Sequence, residues 1–419
     1  MFGTYAQALR HLNAFTDYER MSARYSPRTY NLRRMRRLVA ALGHPERAFR
    51  SLHVAGTKGK GSVAHMAEAI LREAGYRTGL YTSPHLVDML ERIRVGGRAV
   101  SRTDFVWAMN RMGPHLRRLR PTYFETMTAA AFLLFARRRV DYAVIEVGLG
   151  GRLDATNVIV PVACAITTVD YDHTDKLGTT LGAIAREKAG IVKPGVPVVI
   201  SPQRPAALRE IRRHARPYRP PVRRLRRSGT VVDFTVEGAG GRAYRCRLDV
   251  LGDHQAANAA TAVALVEAAG ARVSPGQVRR ALGGVRLPGR IEVLGKRPWI
   301  VVDTAHNPVA ARALAAALRR LPRRRLILVF GASADKDFGS MLRAVLPEAD
   351  VAIFTRARTP RAADPGALAR RAGTTPAVLV PDVARALAVG RALAGPSDAL
   401  VVTGSFYVAG EALALLAKS

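Results

Sequence analysis

Ser51-Leu52-His53-Val54-Ala55-Gly56-Thr57-Lys58-Gly59-Lys60-Gly61-Ser62 runs straight into Val63-Ala64-His65-Met66-Ala67. The stretch reads as a short apolar strand, a Gly-rich turn with a lysine and a hydroxyl, and then a helix. That order builds a phosphate cradle. Glycines let backbone N–H groups approach an anion, the helix N-terminus favours negative charge, and the lysine reaches terminal phosphates. The spacing departs from G-x-x-x-x-G-K-[ST], because two residues separate Gly56 from Gly59 and Gly61 follows Lys60. On pattern alone, a plain Gly-rich strand-to-helix turn competes with the phosphate reading.

Working outward, strand-like runs recur at βα spacing: Leu52–Ala55, Tyr142–Val147, Cys164–Val169 and Val196–Ile200. Helical patterns are expected between the first three, which gives an α/β fold with a mostly parallel sheet. Between Ser201 and Val250 proline and arginine become frequent, and Thr230–Val236 followed by Gly238–Gly241 reads as a β-hairpin. A helical segment runs from His254 to Ala269, and Leu287-Pro288-Gly289-Arg290 reads as a domain linker. After it, βα alternation restarts with strands at Trp299–Asp303, Leu326–Phe330, Val351–Thr355, Ala377–Val380 and Ala399–Thr403. Helices are expected at Pro308–Arg319, Pro365–Arg371, Val383–Ala394 and Ala409–Ala417. This predicts a P-loop-type nucleotide-binding domain over 1–288 and a smaller Rossmann-like domain over 289–419. Two such domains imply a cleft that closes over substrates.

The 419 residues are 48% apolar and 23% charged, as in ordinary globular proteins. Cys164 and Cys246 sit far apart without metal spacing, which fits a reducing compartment. Met1–Gln7 lacks a basic region followed by an apolar run, so no signal peptide is expected. The longest apolar stretch, Val158–Val169, is too short for a bilayer and contains Pro161. A cytoplasmic protein with no membrane segment is expected.

The net charge of +34 raises nucleic-acid binding as an alternative. Of the 66 basic residues only eight are lysines, and the 58 arginines are scattered along the whole chain. The densest runs, around Arg212–Arg227 and at Arg323–Arg325, lack interleaved aromatics, so they read as solvated surface. The lysines are then informative. Arginine is a fixed cation, whereas lysine is a slim point charge whose amine can be deprotonated to act as a nucleophile. They are Lys58, Lys60, Lys176, Lys188, Lys193, Lys296, Lys336 and Lys418. Two fall in the phosphate turn, and Lys188 and Lys193 flank Ala189–Val192.

Other polar groups stand at strand ends. Ser83 in Tyr81-Thr82-Ser83-Pro84-His85-Leu86 can ligate Mg²⁺, or the segment can be a turn with Pro84 near a helix start. Glu146 interrupts the apolar run Tyr142–Val147, and a buried carboxylate needs a metal or a cation such as Arg152. His173 ends the cluster Asp170-Tyr171-Asp172-His173 as a ligand, a base or a cap. Asp303-Thr304-Ala305-His306-Asn307-Pro308, Gly331–Asp337 and Thr403–Tyr407 end strands of the second domain, where ligands of open α/β sheets bind.

Taken together these motifs resemble the folylpolyglutamate synthase/dihydrofolate synthase branch of the Mur ligase family. The resemblance rests on Gly56–Ser62, Ser83–Leu86, Glu146–Asn157, Asp172-His173, Leu177-Gly178, Ile184–Ile191 and Asp303–Pro308, in that order. It implies ATP-dependent ligation of L-glutamate to dihydropteroate or a reduced folate through an acyl phosphate, in folate biosynthesis and one-carbon metabolism. It also implies that Gly56, Thr57, Lys58, Gly59, Lys60, Gly61 and Ser62, with Asn258, Arg290 and Asp303, hold the nucleotide, Lys60 at the β- and γ-phosphates. Ser83, Glu146 and His173 would ligate Mg²⁺. Lys188 would carry a CO₂-derived carbamate that helps hold a second Mg²⁺. His306 and Ser405 would lie near glutamate or ATP. Leu32, Tyr123, Phe124, Glu125, Arg152, Leu153, Asp154 and Ala155 would form the pterin site. The resemblance further implies a monomer without a nucleic-acid partner. Lys58 stands where many members have Asn, and Thr304 where many have Gly. The competing readings are a Mur-type ligase for another carboxylate and a basic nucleic-acid-binding ATPase.

Overall fold

The structure is a computed structural model that describes residues 1–18, 29–238, 241–252 and 254–417. Strand β1 (Arg50–Ala55) is buried from its second residue onward. It lies inside a sheet covered on both faces, so Ser51 and His53 are buried along with Leu52, Val54 and Ala55. The sheet adds β2 (Thr78–Tyr81), β3 (Ile93–Val95), β4 (Arg98–Ala99), β5 (Tyr142–Glu146), β6 (Ala163–Ile166) and β7 (Val198–Ile200). Their order is β4-β3-β2-β5-β1-β6-β7. The pairings from β2 to β7 are parallel, and β3 and β4 form an antiparallel edge.

One face packs against helices Tyr5–Asn13, Leu32–Ala41, Arg102–Leu119 and Tyr123–Arg137, through Leu38, Phe105, Met109, Phe132 and Phe135. The other face packs against helices Lys60–Glu73 and His254–Ala268. That second core also takes in a small antiparallel sheet of β8 (Val222–Ser228), β9 (Val231–Glu237) and β10 (Ala243–Asp249). Strand β10 alternates strictly, with Tyr244, Cys246 and Leu248 inward. The expected hairpin is β9–β10, and its turn residues 239 and 240 lie outside the described residues. The third strand, β8, is the arginine run read from sequence as surface. Val222 and Leu225 pack on the core while the arginines face solvent, and a register shift between Arg223 and Arg226 breaks the alternation that would have announced a strand.

The connection from β5 to β6 holds no α-helix, contrary to expectation, only a 3₁₀ turn at Ala155–Val158. Gly148–Asp154 is spent on a loop at the carboxyl end of the central strand β5 instead. Nor does Pro84 open a helix; the next turn is 3₁₀, at Met89–Arg92.

The chain then turns at Leu287–Ile291, with positive φ at Gly289 (62°) and Ile291 (51°). A second sheet follows: β11 (Glu292–Lys296), β12 (Trp299–Val302), β13 (Leu326–Phe330), β14 (Val351–Phe354), β15 (Ala377–Leu379) and β16 (Ala399–Thr403). Its order is β11-β12-β16-β13-β14-β15, parallel except for β11. The helices begin at Pro308, Pro365 and Val383 as read, whereas the last begins at Phe406, capped by Ser405. A helix at Phe338–Val345 was not foreseen. Both cysteines are buried free thiols. No helix among the described residues is long and apolar enough to cross a membrane.

Candidate active site

The turn after β1 has a conformation that only glycine adopts easily. Gly56 and Gly59 have φ of 147° and 88°. A Cβ on Gly56 would strike the Thr167 side chain, and one on Gly59 would strike the carboxamide of Asn258. Asn258 reaches the loop from helix His254–Ala268, with its Nδ2 donating to Gln255 Oε1 at 2.9 Å. Thr57 ties the loop to the neighbouring strand end: its Oγ1 donates to Asp170 O and accepts from Asp170 N, both at 3.1 Å. No side chain caps helix Lys60–Glu73, so the amides of its first turn have no partner within the helix. That is the electropositive end an anion needs.

Lys60 Nζ donates to Gly56 O at 3.1 Å, and Lys188 Nζ donates to the same oxygen at 2.9 Å. Lys188 lies near the end of helix Leu181–Ala189 and is 4% exposed. Burial, then the charge of Lys60, push its amine down to about 7, against the pull of Asp172 and Glu187. Glu146 ends β5 as a buried carboxylate and accepts from Ser83 N at 3.2 Å. Burial raises its pKa, and Lys60, Arg290 and Arg92 pull it back. A Cβ on Gly61 would strike the Arg290 guanidinium and sit 3.4 Å from Glu146 Oε2, so this glycine is the opening through which the two charges meet. Arg152 is not the partner of Glu146; it holds Glu187 Oε1 at 3.0 and 2.8 Å.

His173 stands before the short helix Thr174–Leu177 in the left-handed region, φ 49°. The surrounding protein, and then Lys60, Lys188 and Lys176, hold its imidazole below the usual range, against Asp172. Glu146 and His173 both feel the charge of Lys60, and Ser83 meets Glu146 through its amide. Among the described residues no group of three His, Cys, Asp or Glu forms a ready metal cage. A hydroxyl and a buried carboxylate nonetheless suit Mg²⁺, which takes few protein oxygens and leaves its remaining positions to water and phosphate.

The pterin-side residues form a second group. Glu125 and Thr122 make a capping box at the start of helix Tyr123–Arg137, and Arg34 Nε donates to Glu125 Oε2 at 3.0 Å. This ties that helix to helix Leu32–Ala41, which Leu32 opens. The Phe124 ring occupies the space a Cβ on Gly148 would need, and Tyr123 is buried under Arg92. Asp154 accepts from Gly148 N and Leu149 N at 3.1 and 2.9 Å and from Thr156 N at 3.0 Å, so it braces the glycine loop. Leu153 is half-buried beside it and Ala155 is buried.

In the second sheet, Asp303 accepts from Ile291 N and Ala305 N at 2.8 and 2.7 Å. Its carboxyl, pushed up to about 6 by burial, thereby fastens the turn that carries Arg290. Thr304 donates through both its amide and Oγ1 to Gly289 O at 2.9 Å. His306 pairs its Nδ1 with Thr304 O and stacks on Phe406 at 4.7 Å. Burial lowers its pKa, and the charges of Asp172 and Lys58 reach it across from the first sheet's loops. Ser405 accepts from Val408 N as a helix cap.

Sequence reading missed Arg92, 2% exposed beside Glu146, and His65, whose Nδ1 meets Gly61 O at 2.8 Å. Arg92 matters through Glu146, which is distant in the chain, whereas His65 bonds back within its own helix, a contact that its place in the sequence does not announce.

The chain matches the Mur ligase middle domain over residues 54–266 and the Mur ligase, glutamate ligase domain over 289–406. It is 37% identical over 352 residues to the dihydrofolate synthase/folylpolyglutamate synthase of Bacillus subtilis, covering 79% of this chain and 82% of that protein. Mycobacterium tuberculosis folylpolyglutamate synthase complexed with ADP superimposes with a TM-score of 0.89 at 33% identity, over 99% of this chain and 98% of that one. Escherichia coli FolC in complex with DHPP and ADP gives a TM-score of 0.87 at 30% identity, over 99% and 98%.

Proposed function

This chain belongs to the Mur ligase family, in its folylpolyglutamate synthase/dihydrofolate synthase branch, and from that premise we propose how its residues carry out the reaction. It is an ATP-dependent ligase that joins L-glutamate to a folate-type carboxylate. The observation that carries the reading is Glu146, a buried carboxylate in the field of Lys60 of the phosphate loop and Arg290 of the inter-sheet turn. Charges from the phosphate loop and from the inter-sheet turn thus converge on one carboxylate.

We divide the chain into 1–288, which binds nucleotide and pterin, and 289–419, which closes on it with glutamate. Gly56, Thr57, Gly59, Gly61 and Ser62 surround the phosphates, Lys60 neutralises the β- and γ-oxygens, and Asn258, Arg290 and Asp303 shape the nucleotide site. Leu32, Tyr123, Phe124, Glu125, Arg152, Leu153, Asp154 and Ala155 shape the pterin end. The pterin-linked carboxylate attacks the γ-phosphorus, ADP leaves, and an acyl phosphate forms. The amine of L-glutamate then adds to the acyl carbon, and the tetrahedral adduct releases phosphate and a proton to give the amide. Positioning and charge neutralisation supply most of the acceleration. His306 and Ser405 stand at the closing face, near glutamate or ATP.

Ser83, Glu146 and His173 would hold Mg²⁺, with a second ion assisted by Lys188. Magnesium, when bound, offsets the charge on the phosphate oxygens. Lys188 carries a carbamate: its neutral amine adds to CO₂, losing a proton and converting a cation into an anionic oxygen donor. An amine poised near neutrality supports this, since the neutral form is the nucleophile.

Dihydropteroate and reduced folates are both substrates in this reading, and the enzyme works as a cytoplasmic monomer without nucleic acid. The test is ATP hydrolysis with L-glutamate and, separately, dihydropteroate, tetrahydrofolate or 5,10-methylene-tetrahydrofolate. Hydrolysis that needs both co-substrates supports it. Glutamate-independent ATPase activity alone would refute it.

A further inference from the structure

Lys58 branches from the phosphate loop two residues before Lys60, yet its Nζ is enclosed and makes no hydrogen bond. An ammonium carries three donors, and leaving all of them unspent inside a protein is costly. Burial lowers the affinity of Lys58 for its proton, which is the signature of that cost. The charges of Asp170 and Asp172 offset that cost only in part, and neither carboxylate hydrogen-bonds the ammonium. Asp170 is engaged by Arg204 at 3.4 Å and by Tyr171 N at 3.0 Å, and Asp172 accepts from His173 N at 3.1 Å. Arg312, from helix Pro308–Leu318, adds a further positive charge. The field of Lys58 reaches His306 on the opposite sheet. The enclosed ammonium therefore sits where the phosphate loop meets the strand ends of the second sheet.

We propose that Lys58 is a second anion-binding lysine of this loop, whose ammonium takes an anionic oxygen that enters with the substrates. That oxygen belongs either to the terminal phosphoryl group of ATP or to a carboxylate of the incoming L-glutamate. The inference rests on the ligase reading above and deepens it.

The experiment compares wild type with Lys58→Met and Lys58→Asn. Wild type is assayed first for glutamate-dependent ligation; its failure there would remove the ligase reading and not this residue's role alone. Lys58→Met is expected to fold, with an apo Tm equal to or above wild type, because an unpaired buried cation is gone. If the phosphoryl group is the ligand, affinity for the ATP analogue AMPPCP falls about tenfold or more while ADP affinity is unchanged. If glutamate is the ligand, its KM rises by a similar factor while both nucleotides bind as before. Should Lys58→Met not fold, Lys58→Asn gives the same comparison with a neutral polar side chain. Equal weakening of ADP and AMPPCP would assign Lys58 to loop shape and overturn the proposal. So would an active variant with both nucleotide affinities and the glutamate KM within about twofold of wild type.

Discussion

Lys60 and Lys188 share one acceptor, their Nζ atoms lying 3.1 and 2.9 Å from the carbonyl oxygen of Gly56. A neutral carbonyl cannot compensate two ammonium groups, and Lys188, the buried one, gives up its hold on a proton. The shared oxygen thereby couples the phosphate loop to the chemistry of Lys188. Arginine at 188 would stay charged and could not add to CO₂. Lys188→Arg is expected to lower glutamate-dependent ligation by about 10²-fold or more, the loss typical of a preorganised charge group. The fold, read by circular dichroism and Tm, should survive. Near-normal turnover in this variant would sink the carbamate assignment.

The same pair sets a pH dependence. The folded pKa of Lys188 lies near 7 against an ordinary 10.5. Between those values the unfolded chain holds a proton that the folded chain lacks, so stability rises with pH across that window. Below it the group is protonated in both states and contributes no slope. The urea midpoint of wild type, relative to Lys188→Met in CO₂-free buffer, should climb from pH 7 to pH 10. With ¹³C-bicarbonate present, a carbamate resonance should grow through about pH 7 and be absent from Lys188→Met. A resonance of equal size in both proteins would contradict the assignment.

Asp154 offers a test on the pterin side. Its Oδ2 accepts from Gly148 N and Leu149 N, and its Oδ1 from Thr156 N and Thr156 Oγ1. Asparagine keeps one acceptor oxygen and turns an NH₂ toward two donors. Each stranded donor costs about 1–3 kcal/mol. Asp154→Asn should lower the Tm and raise the KM for the folate substrate several-fold, because Gly148 is the floor under Phe124. The KM for ATP should move little. Equal effects on both KM values would mean that the loop braces the whole cleft.

How much of this was legible follows from the range of each interaction. The phosphate loop could be read because its glycines, lysine and helix start are adjacent, and the parallel strands because β5, β13 and β16 are mostly apolar along their length. Glu146 was legible as a charge inside such a run, but its partner was not. Arg290 lies 144 positions away, in the inter-sheet turn, and no local pattern announces it. Strand β8 was hidden by arginines that satisfy solvent rather than the alternation rule. The enclosed Lys58 ammonium was invisible for a similar reason: the sequence showed a loop lysine, and only packing removed its water.

Gly61 separates binding geometry from stability. It sits in the first turn of helix Lys60–Glu73, where alanine would ordinarily favour the helix by up to about 1 kcal/mol. Its missing Cβ, however, is the space the Arg290 guanidinium occupies beside Glu146. Gly61→Ala must displace that guanidinium, since the helix backbone cannot yield without breaking the phosphate loop. The expected outcome is a Tm at or near wild type together with at least a tenfold fall in kcat/KM for ATP, equivalent to about 1.4 kcal/mol of lost transition-state stabilisation. Arg290→Ala in the Gly61→Ala background should then cost little more, because the two changes remove one contact. Fully additive losses would show that Arg290 works elsewhere, and that its meeting with Glu146 is incidental to catalysis.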